Sequence, residues 1–115
     1  MTVPAYAIAY IRDLDLGPEI VEYIEKIDAT LAPYGGRFIV HGGPIVQAEG
    51  EWTGDVVIIE FPDATAAAEW YASPAYQEIL PLRTEHSSSM AGLLRGVPRD
   101  YRAINKLAEL MPEGG

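Results

Sequence analysis

Two segments of the chain alternate side chains with the period of two that is typical of β-strands. Residues 5–12 (AYAIAYIR) place the larger Tyr6, Ile8 and Tyr10 on one face and smaller residues on the other. Residues 55–61 (DVVIIEF) are apolar on both faces, which is typical of a strand that is covered on both sides. The two faces of this second strand are Val57, Ile59, Phe61 and Val56, Ile58, Glu60.

Between these segments the apolar spacing changes to that of an α-helix. The stretch DLDLGPE supplies a loop and places Pro18 at the first helical position, where its missing N–H costs nothing. Gly35, after Pro33-Tyr34, suits a left-handed helix end. The resulting helix has one apolar stripe, Ile20, Ile24, Ile27 and Leu31, with charged residues elsewhere.

Residues 37–49 (RFIVHGGPIVQAE) predict a further strand with a bulge or kink at Gly42-Gly43-Pro44. Glycine supplies unusual dihedral angles there, and proline cannot donate to a β-ladder. A hairpin turn over residues 49–55 (EGEWTGD) then leads into the apolar strand.

The remaining sequence predicts two helical pieces, a fourth strand and a C-terminal helix. Asp63 is placed to cap the first piece, and Ser73-Pro74 separates it from the second. The order β-α-β-β-α-β predicts an α+β, ferredoxin-like fold with a four-stranded antiparallel sheet. We therefore divide the chain into a domain at 1–97 and a helical extension with a flexible end at 98–115. The predicted elements are helices over 64–72 and 74–86, a strand over 89–97, and an amphipathic helix over 98–110.

The predicted fold leaves one sheet face without helices. That face would carry apolar and aromatic side chains, and a monomer seldom exposes so large an apolar patch. Burial against the same face of a second copy removes it from water, so the pattern predicts a homodimer with facing sheets.

Composition and charge exclude several classes of partner. The 115 residues contain no cysteine and carry 17 acidic and 8 basic residues, a formal charge of −9. An acidic chain repels phosphate backbones, so we expect no nucleic-acid or membrane partner. No apolar run approaches the ~20 residues of a membrane span. The N-terminus lacks a signal-type pattern, so we expect a cytoplasmic location.

The charge is uneven along the chain. Residues 1–82 carry 13 acids and 3 bases, whereas residues 83–115 carry 4 acids and 5 bases. The plainer interpretation of the basic tail is a solvated helix face, and the alternative is docking on an acidic surface of a partner or of a second copy. Its bases include Arg95, Arg99, Arg102 and Lys106.

Six short motifs follow one another along residues 5–97. They are Gly35–Phe38, Gly42–Gly43, Glu60–Pro62, Trp70–Tyr71, Ser73–Tyr76 and Arg83. Together they resemble domain-of-unknown-function family 1330, within the dimeric α/β-barrel superfamily.

The resemblance implies a ferredoxin-like protomer and a dimer of paired sheets, and it implies no settled reaction. Superfamily relatives include cofactor-free monooxygenases, isomerases, cyclases and haem-linked enzymes, and a shared fold alone does not select among them. Many relatives have another residue where this chain has His41, so no role for that histidine is inherited. The helix after Val97 lies beyond the family core.

The candidate catalytic residue is His41, as a general base. If the second strand is regular, Arg37 and His41 share a face, with Glu60 near them on the next strand. Arg37 or Arg83 would then hold an anionic substrate. The alternative is a histidine satisfied by a backbone carbonyl and an arginine paired with a carboxylate.

Aromatic residues supply the candidate pocket walls. Trp70 and Tyr71 line a cavity in one interpretation and pack helix against sheet in the other. Tyr6 and Tyr10 are further wall candidates, or they lie at the dimer interface. With two histidines and no HExxH pattern, we expect no metal site and no cofactor.

Two functions remain open at this point. One is a cofactor-free enzyme, catalysing proton transfer or oxygenation of a small aromatic or carboxylated metabolite. The other is a non-catalytic small-molecule-binding or assembly module. Whether the protein is an enzyme is not decided by the sequence.

Overall fold

A four-stranded antiparallel sheet forms the centre of the protein. The computed structural model describes residues 3–43, 45–46 and 48–111. The strands occur in the order β2-β3-β1-β4, and every neighbouring pair is antiparallel. This arrangement confirms the predicted α+β, ferredoxin-like plan. The strands are β1 (Ala5–Arg12), β2 (Arg37–His41), β3 (Asp55–Phe61) and β4 (Ser88–Arg95).

Three helices cover one face of this sheet. Pro18 opens the first helix, and Gly35 ends the short 3-10 turn that follows it with a left-handed φ of 69°. Asp63 caps the second helix by accepting a hydrogen bond from the Ala66 N–H at 2.8 Å. Ser73 does the same for the third. The helices are α1 (Pro18–Leu31), α2 (Ala64–Ala72) and α3 (Pro74–Thr84).

The two faces of the sheet have different surroundings. The helix face carries Ala5, Ile59 and Phe61, which are buried beneath the helices with Trp70 and other core residues. Helices α1, α2 and α3 all pack on that side, which leaves the open face uncovered by them. Strand pairing places on the open face Tyr6, Ile8, Tyr10, Val56, Ile58, Glu60, Met90, Gly92 and Leu94.

Strand β2 is shorter than the sequence predicts. It ends at His41, and Gly42 has a positive φ of 69° that turns the chain out of the ladder. The predicted continuation of the strand to residue 49 and the hairpin turn over residues 49–55 are therefore wrong. The described residues of the segment from 42 to 54 form a long connection without regular structure. Pro44 and Gln47, which the prediction included, lie outside the described residues.

A bulge inside β2 changes the direction of its side chains. Phe38 pairs with Ile59 and Val40 with Ile58, so Ile39 is the extra residue between them. Because an extra residue reverses all later side chains, His41 lies on the helix face beside Val57. Arg37 pairs with Glu60 on the open face. The prediction that Arg37 and His41 share a face is therefore wrong.

The segment after β4 is not one continuous amphipathic helix. It contains a 3-10 turn at Ala103–Lys106 and one α-helical turn, α4 (Leu107–Leu110). The apolar residues that were expected to cover a helix face are largely exposed, because this segment does not pack on the sheet or its helices. These exposed residues include Ile104, Leu107, Leu110 and Met111.

Among the described residues, no helix is long and apolar enough to cross a lipid bilayer.

The glycine pair at the start of β2 gives a test of the fold. A Cβ on Gly36 would lie 2.7 Å from Phe61 Cε1 and 2.8 Å from Leu31 Cδ2, in the buried core. Gly36→Ala should therefore lower the free energy of unfolding by ~1–3 kcal/mol, as overpacking does elsewhere. Urea denaturation measures this, and Gly43→Ala, with no atom within 4 Å of the added carbon, is the matched control. Equal stability of the two variants would contradict the packing described.

Candidate functional site

A cavity of about 520 Å³ lies between the helix face of the sheet and helices α1 and α3. Its walls are mainly apolar and come from every strand. Ligand pockets in proteins commonly enclose ~300–1,000 Å³, with a few polar groups among apolar walls. The lining side chains able to form polar contacts are Tyr23, His41, Asp55, Trp70, Tyr71, Tyr76 and Arg83.

Arg83, on α3, brings a positive charge to this cavity. Its residue surface is only 6% exposed, and its Nη1 donates to Ser89 Oγ at 2.6 Å. The guanidinium also lies over the Tyr23 ring, 5.9 Å from the ring centroid. No carboxylate within the described residues forms an ion pair with it. Buried arginines are usually paired, so this unpaired cation is unusual.

The free donors of Arg83 face accessible space. Every buried side-chain nitrogen or oxygen among the described residues has a hydrogen-bond partner. The guanidinium nitrogens without one are therefore accessible, and Arg83 lines the cavity. Burial alone would lower the pKa of Arg83, but interactions with Tyr76 and Tyr23 outweigh it and raise the pKa. Arg83 is consequently a cation at physiological pH.

Two tyrosines stand beside this cation. Tyr23 on α1 and Tyr76 on α3 are joined by a hydrogen bond of 2.7 Å between their hydroxyl oxygens. Their rings meet edge to face, with centroids 6.2 Å apart. Burial raises the pKa of Tyr23 well above its ordinary value, with a smaller contribution from Tyr76. The Tyr23 phenol therefore remains a neutral hydrogen-bonding group at physiological pH.

The raised pKa of Tyr23 makes stability fall at alkaline pH. The unfolded chain releases this proton near pH 10.0, whereas the folded protein retains it, so the stabilisation is complete below that pH and lost above it. We expect Tyr23 to account for a loss of ~1 kcal/mol between about pH 10 and pH 11. Urea denaturation at the two pH values measures the loss, and Tyr23→Phe should reduce it by that amount. Equal losses in the wild type and the variant would contradict the buried position of Tyr23.

His41 and Asp55 bring further polar groups to the same cavity. His41 stacks on Phe38, with ring centroids 4.4 Å apart and an angle of 19° between the planes. It is exposed at its outer side and lines the cavity with Asp55, from the neighbouring strand β3. A histidine in such a position can exchange protons with solvent and with a bound molecule. The structure therefore brings His41 and Arg83 to one space.

Arg37 and Glu60 are not part of the cavity lining. Arg37 Nη2 lies 3.2 Å from Glu60 Oε1 on the open face, and the arginine side chain is 70% exposed. Tyr6 donates from its hydroxyl to the other oxygen of Glu60 at 3.4 Å. The alternative interpretation of Arg37, as one half of a salt bridge, describes what the structure shows.

Tyr10 also lies on the open face, where it fixes the connection between β2 and β3. Its hydroxyl oxygen accepts hydrogen bonds from the backbone N–H groups of Thr53 and Gly54, at 2.9 and 2.8 Å. Its ring meets Trp52 edge to face. Tyr6 and Tyr10 are thus placed away from the cavity that they were expected to line, because their strand positions point to the other side of the sheet.

Trp70 is a packing residue that also lines the cavity, whereas Tyr71 lines the cavity without being part of the core. Trp70 is 2% exposed, donates from Nε1 to Thr30 Oγ1 at 2.9 Å and packs against Phe61 and Tyr76. Its ring is therefore a core element that also forms part of the cavity wall. Tyr71 lines the cavity too and is partly exposed.

The second histidine has a structural position. His86 Nδ1 lies 3.0 Å from the Leu82 carbonyl oxygen, and its Nε2 lies 3.1 Å from Glu19 Oε1. These contacts join the end of α3 to the start of α1. Within the described ranges, no group of three or more His, Asp or Glu residues is arranged to hold a metal ion.

Sequence reasoning did not identify Tyr23, Tyr76 or Asp55 as site residues. Tyr23 carried a signal, because it lies three residues after Ile20 and four before Ile27 on the apolar side of α1. Tyr76 belongs to the Ser73–Tyr76 motif. Asp55 carried no such signal, since a charged residue at the start of a strand is common.

One protein-family profile matches the part of the chain that forms this cavity. The profile of the family described as "Domain of unknown function (DUF1330)" matches residues 4–97. The chain belongs to this family. DUF1330 therefore covers all four strands, the three helices and every residue of the candidate site. Among curated proteins, none matches the chain.

Solved structures share the fold of this DUF1330 chain. A dimeric ferredoxin-like protein of unknown function from Jannaschia sp. CCS1 has 14% identity and a TM-score of 0.63, over 79% of this chain and 97% of the other. Hydroxynitrile lyase from Passiflora edulis has 11% identity and a TM-score of 0.61, over 89% and 100%. SnoaB, a cofactor-independent oxygenase from Streptomyces nogalater, has 16% identity and a TM-score of 0.51, over 88% and 96%. At these identities the likeness establishes the fold alone.

Proposed function

We propose that this DUF1330 protein binds a small, mainly apolar ligand that carries a carboxylate and is partly aromatic. The observation that carries the proposal is Arg83, a buried cation in an apolar cavity with no carboxylate partner among the described residues. Removing a charge from water is costly unless an opposite charge compensates it. A ligand carboxylate supplies that compensation.

The shape of the donor set favours a carboxylate. A guanidinium presents parallel N–H groups that match the two oxygens of one carboxylate. The hydroxyls of Tyr23 and Tyr76 bond to each other, which leaves one O–H of the pair to donate beside it. The aromatic ring of Trp70 and aliphatic strand residues form the rest of the wall, which suits an aromatic or aliphatic body.

Calorimetric titration tests the binding proposal. Benzoate and phenylacetate are the probes, and benzamide and phenylacetamide are their neutral counterparts of nearly equal shape. We expect saturable binding of a carboxylate and at least tenfold weaker binding of its amide, because only the carboxylate pairs with Arg83. The proposal would be contradicted if a carboxylate and its amide bound equally well, or if neither of them bound.

A second candidate function is cofactor-free catalysis on the same ligand, by proton transfer or oxygenation. It is supported by His41 and Arg83 lining one cavity and by the cofactor-independent oxygenase and the lyase that share the fold. In the proton-transfer case, His41 takes a proton from an acidic carbon at the end of the ligand away from the carboxylate, because His41 lies on β2 and the Arg83 partner Ser89 on β4, at opposite edges of the sheet. The electron pair left on carbon is delocalised into the ligand. The base is the imidazole, and Arg83 holds the anion.

Exchange with deuterated water tests the proton-transfer candidate. Wild-type protein should replace with deuterium the methyl hydrogens of 4-acetylbenzoate, which lie next to a ketone at the end of the molecule away from its carboxylate. NMR follows the exchange, and His41→Gln should slow it by about 100-fold or more, as loss of a general base does. The variant should still bind phenylacetate, because His41 does not hold the carboxylate. Equal exchange rates would remove His41 from the reaction and leave the binding function.

The same proposal includes a homodimer formed through the open face. Met90 is 69% and Leu94 53% exposed on that face, beside the half-buried Tyr6 and Ile8. Burial of such a surface in a second copy is favourable. Sedimentation at micromolar concentration should give twice the chain mass of 12.5 kDa, and a monomer mass would contradict the dimer. We further assign residues 1–97 to the dimerising domain and 98–115 to an extension.

A further inference from the structure

The segment after β4 makes few bonds to the rest of its own chain. Gly96 donates from its N–H to the Pro4 carbonyl at 2.7 Å, which ties the end of β4 to the start of β1. Beyond it, the hydrogen bonds among described residues are local, as between Tyr101 N–H and the Pro98 carbonyl. We call residues 97–111 the C-terminal arm.

The C-terminal arm exposes an unusual amount of apolar surface for its length. Its four large aliphatic residues and its methionine are all at least 44% exposed, and they occur within fifteen residues of chain. Single exposed apolar residues are normal, but a clustered set indicates an interaction surface. These residues are Val97, Ile104, Leu107, Leu110 and Met111.

The charge of the arm is opposite to that of the body. Residues 1–96 carry 14 acids and 5 bases, whereas the arm, residues 97–111, carries 2 acids and 3 bases. Of those bases, Lys106 is paired with Glu109 inside the arm. Arg95, Arg99 and Arg102 form no ion pair within the part of the chain that the structure describes. A surface rich in carboxylates is therefore the complementary partner, and every copy of this protein carries one.

We infer that the C-terminal arm docks on a second copy of the chain. This inference rests on the dimer proposed above, since the arm follows closely after β4, the edge strand whose Met90 and Leu94 lie on the proposed interface. Among the described residues, the hydrogen bonds and the ion pair of the arm are all within the arm, so no such bond holds it on its own acidic body. Each protomer places its arm on the other, which we call arm exchange. This arrangement buries the apolar residues of the arms and pairs their arginines with carboxylates of the partner.

The acidic body also offers apolar contacts to such an arm. Leu16 is 71% and Val46 98% exposed, near the carboxylates of Asp15 and Glu49 in the sequence. Both connections lie at the end of the sheet opposite to the start of the arm, because Ile11 pairs with Asp55 there while Arg95 pairs with Ala5 at the other end. In a dimer whose two sheets run in opposite directions, the start of the arm of one protomer lies beside the acidic end of its partner.

Photo-crosslinking in the full-length protein tests the inference. The photoreactive residue p-benzoylphenylalanine replaces Ile104, and in a control chain it replaces Ala68, an exposed position on α2 in the helix layer. After illumination, the arm variant should give a covalent species of twice the chain mass, and the α2 variant should not. Arg99→Glu with Arg102→Glu in the arm variant should lower the yield by about fivefold, the equivalent of ~1 kcal/mol of charge interaction.

The outcomes separate this inference from the dimer proposal. Sedimentation of the same samples reports dimerisation independently of the crosslink. A dimer in which Ile104 crosslinks only within its own chain, or not at all, would overturn arm exchange and leave the dimer intact. A monomer would overturn both. A yield that charge reversal leaves unchanged would overturn the role given to the arginines.

Discussion

Arg83→Met should weaken phenylacetate binding by roughly 100-fold without unfolding the protein. The guanidinium is replaced by a side chain of similar reach that cannot pair with a carboxylate, so charge-assisted hydrogen bonds worth ~2–3 kcal/mol are lost. Calorimetric titration of the wild type and the variant measures the change in dissociation constant.

The ligand-free stability of the same variant gives a second expected result. Arg83 is a buried cation with no carboxylate partner among the described residues, and replacing buried charge by apolar volume is often neutral or stabilising. The variant loses the hydrogen bond to Ser89. Even so, we expect its free energy of unfolding, measured in urea, to be unchanged or higher than that of the wild type. A residue kept for stability would behave in the opposite way.

Arg37→Met is the matched control for Arg83→Met. Arg37 lies on the open face in an exposed ion pair with Glu60, so its loss should leave phenylacetate affinity unchanged. Weaker binding in Arg37→Met together with full binding in Arg83→Met would move the anion site to the other side of the sheet and contradict the cavity assignment.

Met90→Glu combined with Leu94→Glu should convert the protein from dimer to monomer at micromolar concentration. Both side chains are more than half exposed on the open face, and the substitutions place carboxylates where the proposal requires apolar contact. An unpaired charge in an interface costs several kcal/mol, and the two-fold symmetry repeats each charge in the partner. Analytical ultracentrifugation measures the mass.

Val21→Glu is the control for this pair of substitutions. Val21 is an exposed apolar residue of α1, in the helix layer on the other side of the sheet, so the variant should remain a dimer. A dimer that tolerates Met90→Glu with Leu94→Glu and dissociates with Val21→Glu would place the interface on the helices instead.

Much of the fold was predictable because its local patterns agree with its packing. Alternation in β1 and β3 sets the correct faces, and the register places Ile59 and Phe61 beneath the helices as their spacing predicts. Proline at the start of α1 and Asp63 before α2 mark helix starts that the structure confirms. Each of these signals depends on neighbouring residues, so one sequence is enough to detect it.

The course of β2 was not predictable from such local patterns. The sequence places glycines at positions 42 and 43, which favour a bulge there, yet the extra residue is Ile39. Where a bulge occurs depends on which register buries Phe38 against Ile59, a property of two strands together. The consequence was large, because one residue decides whether His41 faces the cavity or the opposite side.

The site was predicted only in part, for the same reason. Arg83 and Trp70 belong to motifs of the family and do line the cavity, whereas Tyr6 and Tyr10 point away from it. The hydrogen bond between Tyr23 and Tyr76 joins residues 53 positions apart in the sequence. A contact of that kind exists only once α1 and α3 are packed together.

A crystal structure of the protein soaked with 4-bromophenylacetate tests the central claim most directly, because the bromine locates the ligand by its anomalous scattering. We predict a bromine peak inside the cavity beneath Trp70, with the carboxylate within hydrogen-bond distance, about 3 Å, of the Arg83 guanidinium. A bromine peak on the open face beside Arg37, or a cavity that stays empty at a saturating concentration of the ligand, would contradict it.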